Sequence, residues 1–591
     1  MTKLIHLKIN GQEVEVNEGD TILQAARKLK IHIPTLCHLD FHDHCMVNKT
    51  ASCRVCVVEQ VGRDKMLAAC SSPCKEGMEI RTNSVKVIKA RRMMIELLLS
   101  NHPTDCLVCA KNGNCELQTL AKDCGIRKIQ YPGERLEIEP DRSSYSLVRD
   151  MEKCILCKRC EMACNEVQTV GALTDVGRGF DTVVGTAFNM PMFNSTCTFC
   201  GQCVSVCPTG ALTDVDNTGK VWDALSSGKT VIVQTAPAVR VALGELFGME
   251  VGTDVTGKMV TALRQMGFDY VFDTNFAADV TVMEEAAELV ERIKEGTTPI
   301  LTSCCPSWVK FIEEQFPDCL HIPSTAKSPH EMFGSLAKSY FAEKIGVKPE
   351  DIIVVSVMPC IAKKYESERP ELAANENLSD VDIVITTREL GQMIKDLALK
   401  FPELEDSKFD ELMGQSSGAG DIFGTTGGVI EASLRTAYYM LTGENLKEIE
   451  FESLRGMEGI KEASVEINGH EVKIACANGL GNARKVLERV RSGEADYTAI
   501  EIMACPGGCI MGGGQPYHSW EVDVAPLRME AIYAHERAKE IRFSHENPMV
   551  KKLYEEFLGE PLSEKAHHLL HTHYVDRSAR MYESGRVAAK K

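Results

Sequence analysis

What the chain lacks narrows it first. No apolar run approaches the roughly 18 residues that a membrane-spanning helix requires, so no span and no membrane partner are expected. There is no basic surplus: 66 Lys and Arg stand against 84 Asp and Glu, a formal net charge of −18. A surface that acidic repels phosphate backbones, which excludes nucleic acid as an expected partner. The opening MTKLIHLKINGQEVEV has no basic stretch followed by an apolar one, so the expectation is a cytoplasmic protein with reduced thiols. No G-x-G-x-x-G sits between a strand and a helix with a later acidic partner, so the chain carries no dinucleotide fingerprint of its own. Cysteine is missing altogether between Cys207 and Cys304.

Elsewhere cysteine is abundant, 25 residues among 591. Clustered thiolates in a reducing compartment bind metal, and soft sulfur ligands select zinc, copper(I) or iron–sulfur clusters. They are dense from Cys37 to Cys207 and sparse after Cys304. The expected architecture is therefore multidomain, α+β and α/β: a string of small cluster modules, then one large α/β domain.

In residues 1–84, KLIHLKI and EVEV flank an Asn10-Gly11 turn and predict a hairpin, and TILQAARKLK predicts a helix. The segments PTLC, CRVC and LAAC then bring Cys37, Cys53, Cys56 and Cys70. This resembles the plant-type 2Fe-2S ferredoxins, which implies a β-grasp domain with those four ligands. The gap between Cys37 and Cys53 is long for that family and contains Cys45, a rival ligand; Cys74 competes with Cys70.

Residues 85–143 open on the helical run VIKARRMMIELLLS and continue with His102, Cys106, Cys109 and Cys115. One His and three Cys can hold zinc. The run also resembles a segment of complex I subunits and iron-only hydrogenases, where one His and three Cys ligate a 4Fe-4S cluster. Residues 144–216 repeat one pattern twice: Cys154-x2-Cys157-x2-Cys160-x3-Cys164 and Cys197-x2-Cys200-x2-Cys203-x3-Cys207-Pro208. This resembles the bacterial two-cluster ferredoxins, in which the fourth Cys of each run serves the other cluster. The resemblance pairs Cys207 with the first run and Cys164 with the second.

From 217 to 565 short β-rich runs alternate with helical ones, the texture of an α/β domain with buried, partly parallel strands. Three of those strands lead into cysteine motifs: TSCCPSW, MPCIAKKYE and EIMACPGGCIMGGGQP. Ligands sit at strand ends in such folds. The three motifs, in this order, resemble the H-cluster signatures of the iron-only (FeFe) hydrogenases, a likeness running over essentially the whole chain. It looks closest to catalytic subunits of NAD(P)-linked, including electron-bifurcating, complexes.

The resemblance implies that Cys305, Cys360, Cys505 and Cys509 hold a 4Fe-4S cubane, with Cys509 bridging to a two-iron unit carrying CO, cyanide and a dithiolate amine. It makes Cys304 the proton donor and continues the relay through Glu285, Ser324 and Glu288. It places Lys363 against a cyanide, with Met358, Met503, Phe423 and Pro237 lining the pocket. The glycines around Cys505 and Cys509 are expected to let backbone approach the inorganic unit. Cys304 and Cys305 are expected to face opposite ways as neighbours on a strand. Taken alone, Glu285 and Glu288 would be a solvated helix face, and the Met and Phe residues plain core.

The implied cofactors are one 2Fe-2S cluster, three 4Fe-4S clusters and the H-cluster. The expected function is reversible H2 oxidation and proton reduction. Electrons would pass to a flavoprotein NAD(P)-binding iron–sulfur subunit, with a small 2Fe-2S subunit and ferredoxin as further partners. A stand-alone ferredoxin-linked hydrogenase is the alternative; a hydrogen sensor or iron–sulfur assembly factor is a third reading, against which Cys304 and the full set of three motifs stand. Cys45, Cys74, Cys124, Cys319 and Cys476 have no assigned role. The tail at 566–591, with its HHLLHTHY stretch, reads as a surface helix rather than a metal site.

Overall fold

The computed structural model describes residues 3–40, 51–375, 378–447, 450–467, 469–520 and 522–578. Cys45 lies outside them. The predicted hairpin forms: Leu4–Ile9 pairs antiparallel with Gln12–Asn17 across Asn10 and Gly11, both at positive φ. Three further strands complete a five-stranded sheet, and helix Ile22–Lys28 starts from a Thr21 capping box. Ile5, Leu7, Ile9, Ile22 and Ala26 close this small core.

Helix Val85–Ser100 leads into the His102 segment, and Glu116–Asp123 follows Cys115. The repeat over 144–216 folds on two short antiparallel strand pairs, Leu147–Arg149 with Leu212–Asp214 and Thr174–Val176 with Val183–Gly185. Its core does not end at its boundary. Leu147, Phe199 and Val204 belong to the same buried cluster as Trp308, Ala475 and Ile500 of the large domain.

The large domain contains two four-stranded sheets. One, in the order Tyr270–Asp273, Thr230–Thr235, Ile352–Met358, Ile383–Thr386, is parallel throughout. Its strands are almost wholly buried, as the unbroken apolar runs predicted. The other runs Ile300–Leu301, Ala499–Met503, His470–Asn478, Ile460–Ile467, parallel except for its last pair. Helix Thr274–Glu295 is buried along most of its first four turns, so Glu284, Glu285 and Glu288 are interior rather than solvated.

The C-terminal stretch forms the expected helix, with His567 and His568 exposed. Glu564–Leu570 buries Ala566, Leu569 and Leu570, and the chain beyond it crosses the large domain as an ordered strap.

Candidate metal centres and proton path

In the N-terminal domain Cys37, Cys53, Cys56 and Cys70 are all buried and mutually hydrogen-bonded, with Cys56 Sγ and Cys70 Sγ 3.3 Å apart. Cys74 is buried elsewhere, and the charges that reach its thiol are Asp20 and Lys28. Of the two, Cys70, two residues past the strand end at Ala68, is the one beside Cys56.

His102, Cys106, Cys109 and Cys115 line one cavity of about 160 Å³. His102 Nδ1 is buried without a protein partner, and burial pulls the imidazole down to about 4, so it is neutral and able to ligate.

Within the repeat the fourth cysteine of each run lies among the first three of the other run. Cys160 feels the charges of Cys157, Cys207 and Cys154, while Cys203 feels Cys197, Cys200 and Cys164 most strongly. Backbone N–H groups of Leu156 and Phe199 donate to Cys154 Sγ and Cys197 Sγ at 3.4 Å. Burial pushes the Cys200 thiol up to about 12. A thiolate in such surroundings requires a cation beside it, which a metal cluster supplies.

The modules touch through their cysteine-bearing loops. Cys37, Cys53 and Cys157 share one buried apolar cluster, with Cys115 packed at its side. Arg159, buried beside Cys160, makes a two-pronged ion pair with Glu116, beside Cys115, at 2.7 and 3.0 Å. At the other end, Cys200 lies close enough to Cys360 and Cys505 for their charges to interact.

In the large domain the three motifs meet at the seam between the sheets. Cys360 follows the strand Ile352–Met358 of one sheet; Cys305 and Cys505 follow Ile300–Leu301 and Ala499–Met503 of the other. Beyond burial, Cys305, Cys360 and Cys509 raise the thiol pKa of Cys505, Cys305 and Cys360 raise that of Cys509, and Ala504 N–H donates to Cys305 Sγ at 3.4 Å. Burial pushes Cys360 to about 12, so a thiolate there would take a cation beside it.

One expectation is corrected here. Strand alternation does not separate Cys304 from Cys305: the strand stops at Leu301, and Cys305 caps the helix Pro306–Gln315. The glycines of the last motif also lie tight against protein atoms. A Cβ on Gly508 would meet Thr426 N at 2.6 Å, and one on Gly513 would meet Gly201 Cα at 2.7 Å. Their absence of side chain closes the pocket wall and seats the ferredoxin-like module against it.

Phe423 and Met503 share an apolar cluster with Cys304 and Cys509. Met358 is buried in the adjacent core, and Pro237 starts the short helix Pro237–Arg240. Lys363 Nζ donates to Cys304 O at 3.1 Å and to Glu366 Oε2 at 2.7 Å. Sequence reasoning missed Glu366 and its partner His330, 3.0 Å from it and fully buried.

Ser324 Oγ donates to Glu288 Oε2 at 2.7 Å, and Arg292 holds Glu288 Oε1 at 2.6 Å. Glu285 is not hydrogen-bonded to either. Its carboxyl oxygens are buried without a protein hydrogen bond of ordinary geometry, and burial, with the Glu288 charge second, pushes it up to about 8. Cys304 lies within the field of Glu285 and Cys509, and burial raises its thiol far above the usual range.

Comparisons with known proteins agree with this arrangement. Residues 229–513 match the model of the iron-only hydrogenase large subunit, C-terminal domain, and 522–577 that of the iron hydrogenase small subunit. Residues 2–85 match a 2Fe-2S iron–sulfur cluster binding domain, 91–130 the NADH-ubiquinone oxidoreductase-G iron–sulfur binding region, and 153–211 a 4Fe-4S dicluster domain. The chain is 55% identical over 582 residues to the NADP-reducing hydrogenase subunit HndD of Solidesulfovibrio fructosivorans, covering 97% of this chain and 99% of that one. It is 42% identical to iron hydrogenase 1 of Clostridium pasteurianum, covering 96% and 99%. The apo [FeFe]-hydrogenase HydA1 from Chlamydomonas reinhardtii superimposes with TM-score 0.56 at 40% identity, covering 61% of this chain and 99% of that one. The chain belongs to the iron-only (FeFe) hydrogenases, oxidoreductases that act on H2, and carries 2Fe-2S and 4Fe-4S domains ahead of its H-cluster domain.

Proposed function

We propose that this chain is the hydrogen-activating subunit of a nicotinamide-linked, multi-subunit hydrogenase. The observation that carries the proposal is the near-full-length likeness to a subunit named NADP-reducing. The chain has no dinucleotide fingerprint, so NAD(P) would be bound by a flavoprotein iron–sulfur partner, with a small 2Fe-2S subunit and ferredoxin as further partners and bifurcation as one mode.

In this reading 1–84, 85–143 and 144–216 are three electron-carrying modules and 217–565 is the catalytic domain. They hold one 2Fe-2S cluster on Cys37, Cys53, Cys56 and Cys70, and a 4Fe-4S cluster on His102, Cys106, Cys109 and Cys115. Two more sit on the crossed sets Cys154, Cys157, Cys160, Cys207 and Cys197, Cys200, Cys203, Cys164. Cys305, Cys360, Cys505 and Cys509 hold the H-cluster, which supplies an open iron site for hydrogen.

The protein's own part is ligation, orientation, exclusion of water and proton movement. Lys363, fixed by Glu366 and the Cys304 carbonyl, presents an ammonium to the pocket. Phe423 and Met503 keep the pocket apolar. Cys304 exchanges protons with the pocket, and Glu285, Ser324 and Glu288 carry them outward, with Arg292 holding Glu288 Oε1 in place.

Anaerobic affinity purification of the tagged chain from its native cells tests the partner assignment. Stoichiometric recovery of a flavin- and NAD(P)-binding iron–sulfur subunit is expected. Recovery of the chain alone, active with ferredoxin, would replace this reading with a stand-alone hydrogenase.

A further inference from the structure

Beyond Leu570 the chain lies alongside the loop that carries Ser324. Lys327 N–H donates to Leu570 O at 2.8 Å, Thr572 N–H to Thr325 O at 2.8 Å, and Ala326 and His571 form an antiparallel bridge. On its other side the same loop is tied to the catalytic strand: Ser324 N–H donates to Leu301 O at 2.7 Å, and Leu301 bridges Pro323. The Ser324 loop is thus the middle of three chain segments, clamped between the strand leading to Cys304 and the C-terminal strap.

Two strap side chains fix the loop further. His571, nearly buried, meets Thr325 Oγ1 through Nδ1 at 2.8 Å and Glu284 Oε2 through Nε2 at 3.0 Å. Glu284 is itself held by the Tyr554 hydroxyl and the Leu562 N–H. Tyr574 OH donates to the Ser324 carbonyl. Below the strap's end, Arg577 Nε and Val575 N–H bind the fully buried Glu313 at 2.8 and 3.1 Å. What these contacts hold is the donor set for one carboxylate: Ser324 Oγ and Thr325 N–H both donate to Glu288 Oε2, at 2.7 and 3.2 Å.

We propose that the strap 570–577 is a positioning element of the proton path, with His571 and Tyr574 as positioning residues that hold Ser324 and Thr325 against Glu288. Neither touches the reacting atoms. The proposal rests on the assignment of Ser324 and Glu288 to the relay, and it adds that the relay's outer half is assembled by the module that matches the small-subunit model. Proton transfer needs donor and acceptor within roughly 2.6–3.2 Å. A loop released on one side would let Ser324 drift out of that range without disturbing any cluster ligand.

The test uses the full, cluster-loaded protein, dye-linked H2 oxidation, and the solvent deuterium isotope effect on turnover. In His571→Asn the amide takes the place of Nδ1 and keeps a partner for Thr325. In His571→Gln it takes the place of Nε2 and keeps only Glu284. Tyr574→Phe removes one oxygen and the bond to Ser324. Loss of a positioning hydrogen bond is worth roughly a tenfold change in rate. His571→Gln and Tyr574→Phe should lose turnover on that scale, with a raised isotope effect and normal iron content, while His571→Asn stays near wild type. Glu288→Gln is measured beside them and should nearly abolish turnover. If it does while His571→Gln and Tyr574→Phe keep normal rates and isotope effects, the positioning role is refuted. Equal losses in the Asn and Gln variants, with no isotope change, would make the strap merely structural and overturn the proposal as well. Full turnover in Glu288→Gln would instead remove the relay reading itself, and this inference with it.

Discussion

Glu285 is the residue whose environment most departs from what its place in VMEEAAELVERI predicts. Its carboxyl is buried, lacks a protein hydrogen bond of ordinary geometry, and is pushed from an ordinary 4.5 to about 8 by burial and then by Glu288. The folded state therefore binds a proton that the unfolded chain releases between about pH 4.5 and about pH 8. The stabilisation tied to that proton is complete below 4.5 and is lost as pH rises through 8, a change of a few kcal/mol at most. Glu285→Gln should accordingly gain melting temperature relative to wild type across that window and no further above it. Infrared difference spectra should show a protonated carboxyl band near neutral pH that titrates near 8 and is missing from the variant. A band unaffected by the substitution would show that Glu285 is ionised and would remove its raised pKa as the basis for a shuttle role. Residue identity was legible here and environment was not. Helical spacing put Glu285 and Glu288 on one face, but only tertiary packing buries that face. His571 and Tyr574 were invisible for the same reason: their partners lie some 250 positions away in the chain.

At the scale of elements, periodicity revealed the strands and the cysteine spacing revealed the metal modules, because both depend on local pattern. Which strands share a sheet depends on long-range pairing, and the division of the three catalytic motifs between two sheets had no sequence signal. The glycines of 507-GGCIMGGG-514 show the limit most clearly. They announce close approach, yet not to what; at Gly513 the neighbour is Gly201 Cα and the Cys200 carbonyl of another module. Backbone faces backbone there, so a Cβ cannot be accommodated by a side-chain rotation. Gly513→Ala should cost about 1–3 kcal/mol through overpacking and slow electron passage between the ferredoxin-like module and the catalytic domain. Iron content should be unchanged, and Gly219→Ala, where no atom lies within 4 Å of the added Cβ, should behave as wild type. Rapid-freeze redox kinetics read the effect. Equal rates in both variants would mean that this contact does not set the distance between the two groups of clusters.

At the scale of the whole molecule, the proposed relay would have two approaches to one route. The 2Fe-2S candidates Cys37 and Cys53 share one buried apolar cluster with Cys157, and the Cys115 end of the His102 module packs against it. Cys109 also abuts Gly210, close to Cys207 of the same predicted cluster set. From there the crossed ferredoxin-like sets lead to Cys200 and the catalytic seam. The convergence is what a forked wire requires, and a chain feeding more than one redox partner has a use for it. Between Cys106 and Cys109, Leu107 and Val108 stand 90% and 86% exposed, an apolar tip at the outer end of one arm. If the arms are parallel, Cys53→Ser and Cys106→Ser should each leave dye-linked hydrogen uptake largely intact when dye can reduce or oxidise the remaining arm. Each should lower the rate with only one physiological partner, nicotinamide through the flavoprotein in one case and ferredoxin in the other, and the double variant should lose both. If either single substitution abolishes transfer to every partner, the modules act in series and the fork at Cys157 is only a packing contact. The distinction matters for bifurcation, since two acceptors of different potential can be served separately by a forked wire, whereas a single series wire delivers all its electrons at one terminus.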